Sequence, residues 1–309
     1  MPFIQAHIMN LIPRIINRIR TDIMKALYRR SLHQILQTPP LKPGNLPFIA
    51  LSMVHQRDVL SYLVAIKSFA MHTHPARVVI VCDPTIGDQE KAIFKTHIPH
   101  AELREATDFQ DPRIPKGGTW ERLSAITQYS PEAYVVQLDA DTVTTAAIPE
   151  IVAAITRQQG FVIRDNPDQG IEPLAQTAQR ARHWPSVHVQ AIAEQVMVDA
   201  GVKGRFYIRG CSGFTGFASD KMLGEEFFDF AVKMHKKIGD VWTTWSSEQV
   251  TSNYLVANQT NTIPLPPNKY ASAKHMTSEA AFIHFIGSER YKNRSYEKTS
   301  LAVIPKLNA

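Results

Sequence analysis

The sequence predicts an α/β fold built on a mostly parallel sheet flanked by helices, with a basic amphipathic helix at its N-terminus. Three observations carry that expectation. First, short β-branched runs alternate with stretches of helical period, at residues 48 to 54, 59 to 72 and 77 to 82. Strand, helix and strand again imply a parallel pair, because parallel strands need a crossover connection, usually a helix. Second, the apolar run 134 to 138 leads directly into Asp139-Ala140-Asp141, at the carboxyl end of a strand, where open α/β sheets bind ligands. Third, residues 37 to 47, Gln-Thr-Pro-Pro-Leu-Lys-Pro-Gly-Asn-Leu-Pro, cannot sustain a helix and favour an extended connector.

Composition narrows the class. A chain of 309 residues that is 44% hydrophobic and 9% aromatic has ample material for a conventional core. Its two cysteines, Cys82 and Cys211, are far apart and outside metal-ligand spacing, so they suggest neither a disulfide framework nor a zinc site and fit a reducing cytosol. No run approaches 18 uninterrupted apolar residues, and the N-terminus lacks the features of a signal peptide. A cytoplasmic protein is therefore expected, peripheral on the inner face of the membrane if its first helix binds lipid. Of the formal charge of +6, residues 1 to 36 contribute +5, holding Arg14, Arg18, Arg20, Lys25, Arg29 and Arg30 against Asp22. The remainder is nearly neutral, so no nucleic-acid partner is expected.

In chain order, Ile4, Ile8, Leu11, Ile12, Ile15, Ile16, Ile19, Ile23 and Leu27 recur three or four apart, with Arg14, Arg18, Lys25 and Arg29 on another face. Pro13 is expected to start or kink this helix. The helix lies on an anionic membrane surface in one reading, and packs on the rest of the chain or a second subunit in the other. The Pro-rich connector divides residues 1 to 45 from a main domain at 46 to 309 and implies that the domain folds without its leader.

Residues 48 to 54 and 77 to 82 read as the first two strands, the second ending in Asp83. Gly117-Gly118-Thr119 opens a helix, with Thr119 as its cap and Arg122 on its polar side. The strand over 134 to 138 follows, then a helix over 148 to 155 and a strand over 161 to 163. Four or five parallel strands thus precede the midpoint. Residues 172 to 199 are helical, and Gly210, Gly213 and Gly216 fit either close approach to a ligand or a bent strand. Leu223, Phe227, Phe230, Ala231, Met234 and Ile238 mark a core helix. Ser246 and Gln249 have capping-box spacing, which places Glu248 in a first helical turn. The apolar segment 281 to 287 carries His284, with Arg290 just beyond it.

Side chains alternate along an extended chain, so Asp139 and Asp141 share one side. Held together without a counter-ion, one would be driven toward protonation, whereas a divalent cation with oxygen preference accepts both as anions. Three readings compete. The pair could shape a turn or cap the helix near Ile148. Leu138-Asp-x-Asp-x-Val143 also resembles the first motif of the haloacid dehalogenase phosphatases, with Asp139 as nucleophile. Against that, the motif normally opens its domain, and Gly239-Asp240 lacks the second acidic residue of the downstream metal motif. The third reading, nucleotide-sugar binding, catalytic or not, is the one the rest of the chain supports.

Arg122-Leu123, then Tyr-Val-Val-Gln-Leu-Asp139-Ala-Asp141-Thr, then Ser-Glu248-Gln249, then His284-Phe-Ile-Gly287 together resemble the GT-A glycosyltransferases. The likeness is strongest to the family-eight type that includes glycogenin and bacterial lipopolysaccharide sugar transferases. It runs in motif order from Phe48 to Arg290. The resemblance implies a Rossmann-like GT-A catalytic domain, with a nucleotide-sugar-binding half at 46 to 165 and an acceptor half at 166 to 309. It would transfer a sugar from a nucleotide diphosphate, a UDP-sugar being the expected donor, to a hydroxyl on a glycan or glycolipid. By the same likeness Asp139, Asp141 and His284 hold Mn²⁺ or Mg²⁺ on the diphosphate, with imidazole favouring Mn²⁺. Met53, Val54, His55 and Gln56 would meet the base, Asp83 would close the nucleotide pocket and Arg122 would contact the nucleotide side. Ala140, Gly287 and Arg290 complete the donor site, and Glu248 with Gln249 forms the catalytic pair. The chain departs from the family where Asp-Gln is replaced by Glu248-Gln249, and where a Lys-Pro-Trp ending gives way to Arg290-Tyr291.

Overall fold

The computed structural model describes residues 2–166, 168–184 and 186–308, with only the backbone described at 2–15, 17 and 288. The chain opens with α1 (Pro2–Leu32), continues through β1 (Leu46–Val54), α2 (Val59–Thr73), β2 (Pro75–Cys82), α3 (Asp88–His97) and β3 (Glu102–Glu105), and reaches α4 (Trp120–Tyr129) and β4 (Tyr134–Leu138). Next come β5 (Thr142–Thr144), α5 (Pro149–Thr156), β6 (Phe161–Arg164), β7 (Glu172–Pro173), α6 (Leu174–Arg182), α7 (Val189–Val196), β8 (Phe206–Tyr207) and β9 (Gly210–Phe217). The last part holds α8 (Leu223–Ile238), α9 (Ser247–Asn258), β10 (Ile263–Pro264), β11 (Tyr270–Ser272), β12 (Phe282–His284) and α10 (Ser295–Val303).

Among the described residues the main sheet has seven strands in the order β10-β6-β9-β4-β1-β2-β3. Strands β1, β2, β3 and β4 pair in parallel, and β10 pairs in parallel with β6. Strand β9 runs antiparallel to both β4 and β6, so β6 points the same way as β4. The expectation of four or five like-directed strands before the midpoint holds. Both faces of β1 are buried: Phe48 and Ala50 join one core cluster, Ile49 and Leu51 the other. A strand covered on both sides must be continuously apolar, which is why 48 to 54 reads as an unbroken run rather than an alternation.

A second sheet, β11-β12-β5, starts where the first ends. Strand β5 begins one residue after Asp141, and its register with β12 sets Thr142 opposite His284. The chain therefore turns from one sheet into the other across Asp139-Ala140-Asp141. Ser68 of α2 accepts a hydrogen bond from the Thr144 amide at 3.1 Å, tying the second sheet to the helix behind the first.

The N-terminal segment is not set apart. Tyr28, Leu32 and Ile35 belong to the core cluster that contains Phe48 and Val136, and Tyr28 stacks on Tyr296 with ring centroids 4.3 Å apart. Ser31 donates a 2.7 Å hydrogen bond to Glu297. The helix does not begin at Pro13 but runs through it. A proline there removes one hydrogen bond and costs on the order of 3 kcal/mol, which the other turns of a long helix can absorb. The side chains of Ile4, Ile8, Leu11, Ile12, Arg14 and Ile15 lie outside the described residues.

Truncating Tyr28 in this setting leaves a cavity under α10. Tyr28→Ala is expected to lower the unfolding free energy in urea by about 3 kcal/mol, whereas Ile23→Ala on the outward face should change it by less than ~0.5 kcal/mol.

Candidate active site

The site is assembled by the ends of strands. At the carboxyl end of β4 the Asp139 amide donates to the Gly213 carbonyl of β9 at 2.9 Å, and the Phe285 amide after β12 donates to the Asp141 carbonyl at 2.9 Å. These two bonds clamp the turn between its neighbours. His284 Nε2 then lies 3.0 Å from Asp141 Oδ1 and 3.5 Å from Asp139 Oδ2. Ligand atoms of Asp139, Asp141 and His284 all lie within 4.8 Å of one another, the one such group among the described residues. Asp141 and His284 are buried; Asp139, whose side chain is 26% exposed, is the member open to solvent.

Two arginines neutralise these carboxylates. Arg122, buried on α4, pairs with Asp139 and reaches Glu248 Oε1 at 3.3 Å. Arg290, in the turn after β12, donates from Nε to Asp141 Oδ2 at 2.7 Å and from its terminal nitrogen to Asp58 Oδ1 at 2.9 Å. Arg122 is therefore not on a solvated helix face, as its position in the helical pattern suggested, but in the middle of the site. An arginine this deep is tolerable only because two carboxylates face it.

Glu248 enters from the first turn of α9. Its Oε2 accepts from Thr119 at 3.1 Å and from Ser212 at 3.2 Å. Neither presumed cap behaves as one. Ser246 has φ 87° and makes no side-chain capping bond, and Gln249 accepts instead from the Ser212 amide at 3.3 Å. Thr119 has φ 73° and likewise caps nothing; its hydroxyl serves Glu248 and the Gly118 carbonyl. Left-handed backbone at non-glycine residues costs about 1 kcal/mol or more each, and such residues cluster where a site is held open or held in shape. Both strained residues here flank Glu248.

Burial sets the direction of each titration. It opposes charge on Asp141, but His284 and Arg290 override it and hold that carboxyl well below the usual carboxylate range. Burial likewise disfavours the imidazolium of His284, and Cys211 and Asp141 outweigh it, raising its pKa well above the ordinary value. Glu248 is pushed up, first by burial, with Arg122 countering.

Gly213 is what allows His284 to sit here. A Cβ on Gly213 would lie 2.0 Å from His284 Cε1, inside the ring. The close approach anticipated for this glycine is thus made, by a protein side chain. On the ring's other edge Nδ1 meets the Cys211 sulfur at 3.2 Å.

Other expected donor-site residues form a separate group. His55, at the end of β1, lies 4.0 Å from Asp83 at the end of β2. Gln56 binds Thr85 and Glu90, and Asp83 Oδ1 accepts from the Thr85 amide at 2.9 Å. Val54 is wholly buried, and its carbonyl accepts from the Asp83 amide at 3.0 Å, which ties the ends of β1 and β2 together. Met53 is half-buried, and Gly287, with φ 40°, starts the turn that carries Arg290. Asp58 was not anticipated, yet through Arg290 it joins the first-strand group to Asp141. Ser212 and Thr119 are the other unforeseen members.

The main sheet, with its single reversed strand and a second small sheet sprung from the Asp139–Asp141 turn, can be set beside solved structures. The galactosyltransferase LgtC, in complex with donor and acceptor sugar analogs, matches with a TM-score of 0.53 at 10% identity, over 84% of this chain and 95% of that one. An active-site mutant of LgtC matches with a TM-score of 0.54 at 11% identity, over 82% and 95%. This is a GT-A fold. The apo form of the bifunctional glycosyltransferase WbbM shares the GT-A fold with a TM-score of 0.52 at 14% identity over 87% of this chain, which spans about half (52%) of WbbM. No protein-family model and no curated protein sequence matches the chain. The GT-A architecture expected from the motifs is thus present.

Because His284 holds a proton well above its ordinary pKa near 6.5, the stabilisation from its imidazolium is complete below that value and is lost as pH rises through the raised one. A cation ligated by His284 must displace that proton. Mn²⁺ titrated calorimetrically near neutral pH in buffers of different ionisation enthalpy should release close to one proton per ion, and its affinity should rise roughly tenfold per pH unit over that range. Gly213→Ala, which pushes the ring from its place, should weaken Mn²⁺ binding at least about tenfold while the far-ultraviolet circular dichroism stays unchanged.

Proposed function

We propose that this chain is a metal-dependent glycosyltransferase that moves a sugar from a nucleotide diphosphate donor, with UDP as the nucleotide, to a hydroxyl of a glycan or glycolipid. The observation that carries this reading is the convergence of Asp139, Asp141 and His284 at the carboxyl end of β4 in a GT-A fold. Two carboxylates and an imidazole suit Mn²⁺ or Mg²⁺, the imidazole favouring Mn²⁺. Bound there, the ion supplies Lewis-acid stabilisation to the diphosphate leaving group.

The remaining chemistry belongs to the chain. When the anomeric C–O bond breaks, the electron pair goes to a diphosphate oxygen, and Arg290 is the cation placed beside Asp141 to meet that charge by charge-assisted hydrogen bonds. Glu248 is buried among Arg122, Thr119 and Ser212 with its carboxyl shifted toward protonation, so it suits orienting the sugar or taking the acceptor proton. Gln249 acts behind it, fixing β9 through Ser212. Met53, His55, Gln56 and Asp83 lie at the ends of β1 and β2, the side of the sheet where the nucleotide base would sit.

A haloacid-dehalogenase-like phosphatase would need Asp139 free to attack phosphorus, and here Asp139 is engaged by Arg122. A non-catalytic nucleotide-sugar sensor would keep the donor site and turn nothing over.

Thermal denaturation across a panel of nucleotide sugars tests the proposal. One UDP-sugar at about a hundred times its Kd should raise Tm by roughly 5 °C with Mn²⁺ and not without it. Asp139→Asn and Asp141→Asn should abolish both this shift and sugar transfer, and Arg290→Ala should lower kcat about a hundredfold. Transfer that survives a chelator, or hydrolysis of simple phosphate esters through a phosphorylated Asp139, would overturn the reading. Donor binding without turnover across a broad acceptor panel would leave the sensor.

A further inference from the structure

Helix α1 shows the solvent an apolar line. Ile16, Ile19, Ile23 and Leu27 are 58%, 55%, 55% and 44% exposed, while Tyr28 and Leu32 on the facing side are buried. The spacings of three, four and four residues place the four aliphatic side chains on one side, over about 16 Å of helix. Scattered exposed aliphatics are ordinary, but an aligned row on one helix marks a contact surface. Around it stand Arg18, Arg20, Arg29 and Arg30, all exposed, and Lys25, which pairs with Asp22, the only acid of the segment.

We propose that this face docks on an anionic lipid bilayer. Charge decides between the occupants. A second copy of the helix would bring the same excess of arginines against its own, and Arg30, seven residues beyond Ile23 on the same line, would be driven into the seam. An anionic surface complements both features, because aliphatic side chains enter the acyl boundary while arginines reach back to the phosphates. No described helix is long and apolar enough to cross a membrane, so the helix lies on the surface. Its opposite face is already taken: Tyr28 meets Tyr291 edge-on at 5.8 Å, next to Arg290, and at the border of the two faces Arg20 donates to the Lys292 carbonyl at 3.2 Å. The docked helix thus carries the bilayer to the segment that holds Arg290.

The test is flotation of the full chain with vesicles of phosphatidylcholine alone or with one part in four phosphatidylglycerol. Binding is expected only to the anionic vesicles, and high salt should cut it at least about tenfold. The double variant I19E/I23E should lose flotation with Tm unchanged, and Arg18→Gln with Arg29→Gln should weaken it. Failure of the unaltered chain to float with anionic vesicles would overturn the proposal, as would equal flotation of the double variant. A concentration-dependent dimer that I19E/I23E dissociates, without vesicle binding by the unaltered chain, would assign the face to a second copy.

Discussion

Four carboxylates meeting two guanidinium groups and an imidazole in the interior is the constraint around which this molecule is arranged. Asp139 with Asp141, Glu248 and Asp58 reach the cluster from three segments, and Arg122, His284 and Arg290 from three more. Losing one partner of a buried pair costs about 3–5 kcal/mol, because the charge left behind has neither water nor a counter-ion. Each segment is therefore pinned with respect to the others. The turn from β4 into β5, the register of β12 and the start of α9 read as consequences of keeping these charges matched.

That matching is supported by backbone geometry that would be poor elsewhere. Thr119 follows Gly117 and Gly118, all three with positive φ, and the second strained residue, Ser246, precedes Ser247. Trp120 donates from its indole nitrogen to Ser247 at 3.1 Å, so the two strained turns are bound to each other beneath Glu248. The packing of Trp120 on Trp242 and Phe227 supplies the apolar burial that holds the turns in place. Strain that persists only because its surroundings over-determine it is strain retained for geometry, and the geometry it fixes is that of one carboxylate.

What could be read from the sequence was whatever is local. Strand β4 and its two aspartates announce themselves because a buried strand is continuously apolar and the acids end it abruptly. The parallel order follows from strand and helix alternating. Arg122 was legible as a resemblance but not as an ion-pair partner, since helical period alone placed it on a wet face, and nothing in the sequence around residues 119 to 129 says that Asp139 and Glu248 converge on it. The caps failed for a related reason. Ser246 and Thr119 have the right identity and spacing, but cap geometry needs an extended backbone, and tertiary contacts forced both into the left-handed region. Strand β3, Glu-Leu-Arg-Glu, escaped notice because an edge strand with charged residues carries little apolar signal, and β5 because three residues are too few for one. The N-terminal helix was separable on composition, yet Tyr28 and Leu32, off its outward apolar line, are buried in the core and dock it.

The balance of charge also limits what the site can accept. With His284 protonated and Glu248 ionised, the four carboxylates exceed the three cations by one. Replacing the imidazole proton with a divalent ion would raise the positive charge by one and bring the cluster to neutrality, so on charge alone a single dication balances it. A diphosphate entering afterwards adds at least two negative charges to a site with none to spare. Under the proposed function those charges would be met by the ion together with an arginine donor that turns from carboxylate to phosphate. Arg290, which holds two carboxylates through different nitrogens, can exchange one bond while keeping another, whereas Arg122 is fixed between Asp139 and Glu248 with its Nε already lacking a partner. Under the proposed function that asymmetry would divide the two arginines: Arg122 would maintain the carboxylates, and Arg290 would respond to the leaving group.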